Sequence, residues 1–248
     1  MTTNQTLEKK NLSLGLNLSP RPTTSARRIP LVVKLGFTTF MAVLVPVYWI
    51  KYGPTNFLYF CDLALFLTLA AVWLENRLLA SMAAVGIIVP QIVLWCGDFA
   101  AHLVGVKFIG MTDYMFDAHR PLFLRGLSLF HGWLPFLLLF LVARLGYDRR
   151  ALLAWTAVAW SAILFSFAFL PAPVTHLSNP LAPVNVDYVY GFSDTAAQTS
   201  MPEWAWLAFL LIAMPLVIFI PTHWLLRKFF TPAPFYRKHD KSAWPTTP

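Results

Sequence analysis

Arg120–Val142 reads RPLFLRGLSLFHGWLPFLLLFLV, and this stretch decides the class of fold. At ~1.5 Å per residue, ~20 apolar residues cross the ~30 Å hydrocarbon core of a bilayer. Near its middle stands His131, with Ser128 one turn earlier. An ionisable side chain at that depth is costly unless it faces protein or water. His131 is therefore expected to look into a bundle.

The rest of the chain agrees. It is 58% apolar and only 12% charged, whereas soluble proteins carry roughly 25% charged residues. The chain reads as an all-α, polytopic membrane protein with six helices in one bundle. The expected spans are 29–50, 56–74, 78–104, 121–143, 151–170 and 204–226, within a membrane domain at 29–228. Prolines 46, 90, 135 and 215 fall inside spans, where kinks are expected. No internal repeat or GxxxG seam is visible.

The net charge of +8 does not point to nucleic acid, because its cations lie in flanks and short turns. Residues 1–28 and 229–248 are basic and read as cytoplasmic tails, the first without fixed structure. Arg27-Arg28 fits a twin-arginine signal poorly, since Lys34 interrupts the apolar run and no small-residue cleavage site follows. Arg77 follows the second span, and Arg144, Arg149 and Arg150 follow the fourth. The connection 171–203 has no lysine or arginine. Positive charge concentrates on the cytoplasmic side, so both tails are expected inside, in a multi-pass protein of the cell (inner) membrane.

This topology gathers the polar residues. Cys61 and Asp62 lie ~8–10 Å into the second span from outside, and His131 ~15 Å into the fourth. Asp98 and His102 fall near the outer end of the third, on the face that carries Gln91. The outer loops add Asp113, Asp117, His119, Asn185 and Asp187. The inner half is expected to be nearly featureless, and a pocket opening outward explains the asymmetry.

Each candidate has a plain structural reading as well. His131 serves either as an acid or base, since imidazole titrates near neutrality, or as a donor to a carbonyl freed by Pro135. Cys61 is a small packing residue unless a base from another helix reaches it. Asp62 is expected to pair with Arg125, and Asp98 with His102 through a carboxylate–imidazole hydrogen bond. Two ligands on one helix do not close a metal site, so no metal and no cofactor are expected. His119-Arg120 suits lipid phosphate or topology alone. Tryptophans 49, 73, 204, 206 and 224 read as an interfacial belt. Cys61 and Cys96 are expected as free thiols. A haem or quinone held by His102 and His131 is a weaker alternative. Acyltransferase H-x-x-x-x-D, HExxH, P-loop, GxSxG and dinucleotide patterns are absent.

Four short segments carry a family likeness. They are LYFCDLALFL around Cys61, GIIVPQIVL around Gln91, LSLFHGWLP around His131, and NVDYVYG from Asn185 to Gly191 with Tyr188. In this order the chain resembles the YwaF-type integral membrane proteins, whose relatives include the ether-phospholipid acyltransferase transmembrane protein 164. A more distant likeness extends to the androgen-induced membrane lipid hydrolases. The resemblance covers about residues 30–226 and implies membrane lipids as partners, with Cys61 and His131 as a catalytic couple. Gln91, Asn185, Asp187 and Tyr188 would support them, and the residues read by themselves add Asp62, Asp98, His102 and Arg125 as supporting candidates. Two positions depart from the pattern: Asp62 stands where the animal relative has histidine, and Asp187 where a second asparagine is usual. The other reading is a non-catalytic membrane module that binds a lipid or a partner protein.

Overall fold

A computed structural model describes residues 29–106, 108–173, 179, 181–193 and 196–230. The expected tails at 1–28 and, beyond its first two residues, 229–248 lie outside these. The described residues are all helix and loop, with no strand. Six helices run up and down: α1 (Leu31–Lys51), α2 (Phe60–Leu74), α3 (Arg77–Leu103), α4 (Leu122–Leu145), α5 (Ala151–Phe169) and α6 (Glu203–Phe229). Five are long and apolar enough to cross a membrane. The exception is α2, expected from 56 but preceded by a 3-10 turn at Pro54–Leu58 and only 15 residues long. It spans about 22 Å at helical rise.

Local chemistry sets the boundaries. Pro30, Pro121 and Pro202 sit just before α1, α4 and α6, where a missing N–H costs nothing. Asn76 caps α3, its side-chain oxygen accepting from Leu78 N and Leu79 N at 2.8 and 3.2 Å. Two of the four expected kinks occur as widened π turns, at Pro90–Trp95 and Met214–Phe219. There proline removes a donor and crowds the preceding turn. Pro46 and Pro135 sit inside uninterrupted α-helix instead. The break in α4 comes earlier, at Leu129.

The centre of the bundle is α3. It packs on α2, α4, α5 and α6, and 61% of its apolar window is buried, against at most 44% in the other four long helices. Its inner stretch ASMAAVG is small-residue rich, and Ala80, Ser81, Ala83 and Ala84 are fully buried, as close helix approach in lipid requires. Trp155 of α5 fills the space over Gly86. It meets Phe60 and Phe219 edge-on at 5.8 and 6.2 Å.

The antiparallel order gives the bundle two unlike ends. One end carries the tight turns after α2 and α4, and it is not featureless as the sequence led us to expect. Lys34 Nζ donates to Glu75 Oε1 at 2.8 Å. Arg77 and Arg150 both bond the buried Asp148 carboxylate, whose backbone N–H donates to Ser81 Oγ. Tyr147 pairs with His223 at 2.6 Å. These cations and their hydrogen bonds hold the Asp148 carboxyl below the usual range despite its burial. The polar groups here are matched. The opposite end, carrying the three long connections, is different.

Candidate functional site

Buried polar groups without a hydrogen-bond partner gather toward that opposite end. Of seven such side-chain atoms among the described residues, six lie in its half: Asp62 Oδ1, both amide atoms of Gln91, Arg125 Nε, Ser166 Oγ and Asp187 Oδ2. Each forgoes roughly 1–3 kcal/mol of solvation that a partner would return. The seventh, Trp155 Nε1, lies about one turn into α5, in its other half.

Cys61 and Asp62 occupy the first turn of α2. Cys61 is a free, half-buried thiol, as is Cys96. Asp62 is 2% exposed and accepts from Asn56 Nδ2 at 3.0 Å. The expected Asp62–Arg125 ion pair is not formed. Arg125 Nη1 donates instead to the Met115 carbonyl at 3.0 Å, so the arginine holds the α3–α4 connection.

Asp98 corrects a second expectation. Its two oxygens accept from Ile109 N, Gly110 N, Thr112 N and Thr112 Oγ1 at 2.6–2.9 Å. With both oxygens filled by the 109–112 loop, none remains for His102. His102 stacks on Phe116 at 3.8 Å and faces Asp113 at 3.5 Å. Both are tied to the connection between α3 and α4. No ring contact or hydrogen bond joins His102 to His131, and no group of three or more His, Cys, Asp or Glu among the described residues is placed to hold a metal.

His131 does bond a freed carbonyl, but Pro135 is not the cause. At the Leu129 break Gly132 N turns to Leu129 O at 3.0 Å, leaving Ser128 O to His131 Nδ1 at 2.8 Å. A carbonyl can only accept, so Nδ1 carries the proton and Nε2 of the neutral ring presents a lone pair. The ring lies between Phe130 and Trp95, at 4.0 and 5.3 Å. Trp95 Nε1 donates to Tyr114 OH at 3.1 Å, and Ser128 Oγ pairs with Tyr48 OH at 2.9 Å. Burial pushes the Tyr114 phenol well up, and the Cys61 sulfur adds to this through space. Tyr114 thus stands near Cys61 while touching Trp95, which stacks on His131. Cys61 and His131 themselves share no hydrogen bond.

Gln91 lies in the π turn of α3, 4% exposed with its amide unpaired. Asn185, by contrast, is spent. Its Nδ2 donates to Gly191 O and Ser193 O, and its Oδ1 accepts from Tyr190 N. It builds the 185–193 loop, in which Asn185, Asp187 and Tyr188 all adopt left-handed φ values of 51–61°. Trp206 Nε1 donates to Tyr188 O, and Tyr190 OH to Phe167 O, both at 2.9 Å. Asp187 Oδ1 accepts from Phe60 N at 3.2 Å and so caps α2 from across the chain. Sequence reading missed Tyr48, Asn56, Trp95 and Tyr114. Only Trp95, one turn beyond Gln91, carried a usable signal.

Comparison with protein-family models, with curated proteins and with solved structures gave no match. The class is therefore set by the fold: an all-helical chain whose apolar helices suit an integral membrane protein.

Proposed function

We propose that this is a multi-pass protein of the cell membrane, both tails cytoplasmic, whose polar end opens outward and processes a lipid ester through Cys61. The observation that carries the reading is the crowding at one end of the bundle of six of the seven unpartnered buried side-chain polar atoms among the described residues. A ligand's polar groups would complete them, and the apolar helix flanks suit its acyl chains. His131 Nε2 takes the Cys61 proton, and the sulfur attacks the ester carbonyl carbon. The ester C–O bond breaks, and the departing alkoxide recovers the proton from the imidazolium. Water or an acceptor hydroxyl, deprotonated in turn by Nε2, then attacks the thioester and restores the thiol. Gln91 rather than Asn185 is the free donor for the oxyanion, because both Asn185 amide protons are engaged.

A second reading, a non-catalytic module that binds a lipid or a partner protein at the same end, is favoured by one fact. Thiol and imidazole are not hydrogen-bonded, so the base must close on the thiol when substrate enters. Proteoliposomes of defined ester lipid decide between them. Fatty acid and lysolipid should accumulate with the wild type and fall by about 10³ or more in Cys61→Ala and His131→Ala, the loss usual for a nucleophile or its base. Lipid that stays bound and unchanged in all three would establish the module.

Orientation has its own test. In a Cys61→Ala/Cys96→Ala background, impermeant maleimide applied to intact cells should label Thr199→Cys and spare Arg149→Cys, both exposed positions. The reverse pattern would turn the polar end toward the cytoplasm.

A further inference from the structure

We propose that Asp62 and Asp187 hold one proton between them and form a pH-dependent latch docking the 185–193 loop onto the first turn of α2. The inference is independent of whether the polar end is catalytic. Phe60 and Asp62 lie in the same helical turn, and Asp187 reaches that turn through its bond to Phe60 N. Both carboxyls are more than nine-tenths buried, at 2% and 7% exposure. Each has one oxygen served by a neutral donor, Asn56 Nδ2 or Phe60 N. Each has its other oxygen buried with no partner. Among the described residues no ion pair neutralises either one.

Two acceptor-only oxygens at one helix end cannot satisfy each other. A single proton converts one into a donor, so the carboxyl of Asp187 bonds the carboxylate of Asp62 and both deficits close together. Like charges buried at one helix end resist joint ionisation, and the Asp187 charge does act on Asp62.

The groups facing the pair are few. Cys61 lies between Phe60 and Asp62, and Tyr48 and Tyr52 approach from α1, with Arg120 beside Tyr52. Helix α5, which packs on the loop, has no charged residue. Within the loop stand Tyr188 and Tyr190, the latter facing Glu203 of α6. Arg120 reaches this group through Tyr52, and it is also engaged by Asp117.

Burial pushes the Asp187 carboxyl up to about 8. A carboxyl raised above its unfolded value of ~3.9 contributes docking strength fully below that value and loses it as pH rises through the folded one. The latch is therefore closed in acid and opens above about pH 8.

Hydrogen exchange of the full chain in detergent or nanodiscs tests this, with rates corrected for intrinsic pH dependence. In the wild type, protection of the Tyr188, Tyr190 and Gly191 amides should fall roughly tenfold or more between pH 5 and pH 9, the change that one unit of pKa separation produces. Asp187→Asn supplies a permanent donor toward Asp62 and should stay protected across the range. Asp62→Asn supplies one toward Asp187 and should do the same, which keeps the test intact if either variant folds poorly. Infrared difference spectra should show a protonated-carboxyl stretch in the wild type at pH 5, absent at pH 9 and in Asp187→Asn. Wild-type protection that does not change with pH, or variants that follow the wild-type profile, would overturn the latch.

Discussion

Gly86→Ala is expected to destabilise the bundle by about 3 kcal/mol, the upper range for overpacking a closed core. A Cβ at this position would fall within the indole of Trp155. The indole cannot retreat: it is fully buried and held edge-on by Phe60 and Phe219. Either α3 and α5 separate, losing small-residue contact along ASMAAVG, or the ring leaves its site. The change should appear as a lower midpoint of thermal unfolding in detergent. Trp155→Phe, with a smaller ring, should restore part of the loss. Gly36→Ala supplies the control, because nothing lies within 4 Å of the added methyl. Equal midpoints for Gly86→Ala and Gly36→Ala would contradict this packing. Phe60 joins the cluster to the first turn of α2, so displacement of Trp155 should also disturb Cys61.

The second large effect belongs to Asn185. Its alanine variant removes three hydrogen bonds, each worth about 1 kcal/mol, and places a less suitable residue at φ 51°. The neighbouring left-handed residues, Asp187 and Tyr188, store roughly 1–3 kcal/mol each and persist because Asn185, Trp206 and Phe60 hold the loop around them. Asn185→Ala should therefore undock the loop: limited proteolysis between 181 and 193 should speed up about 100-fold, the factor for a loss near 3 kcal/mol. Asn185→Gly keeps the backbone geometry and should be less damaged. An Asn185→Ala chain as resistant as the wild type would show that the loop is held by other contacts.

The helices were legible because each needs only an apolar run of the right length, which a sequence states directly. Helix ends were legible where Pro30, Asn76, Pro121 and Pro202 announce them. The role of α3 as the hub was not, because its signal is a stripe of alanines and one glycine, not a GxxxG pair. Its meaning depends on Trp155, some 70 residues away. Pro90 and Pro215 mark the two π turns, whereas the Leu129 break arises from a 3-10 contact that no single residue type marks.

For the site, sequence located the end of the bundle but not its pairings. Asp98 and His102 share a helix face, yet the nearer amides of 109–112 capture the carboxylate. Asp62 and Arg125 have complementary charge, yet Asn56 and the Met115 carbonyl lie closer. Side-chain bonding of this kind is decided by loops, whose course hydrophobic periodicity does not describe. One coincidence was visible only in three dimensions. Asp187 bonds Phe60 N and so meets Asp62 at the same helix end, although the chain separates them widely.

On the proposed function, Cys61 carries an acyl group while a lipid ester is processed at the polar end. Intact-protein mass spectrometry after rapid acid quench tests it most directly. Protein incubated with an ester lipid of defined chain should gain the mass of one acyl group, removable by neutral hydroxylamine and mapped to the peptide LYFCDLALFL. Cys61→Ala should show no adduct, and His131→Ala should form it far more slowly. Cys96→Ala should behave as the wild type. No adduct on the wild type at any quench time, with lipid nonetheless bound, would contradict the account and leave the binding module in its place.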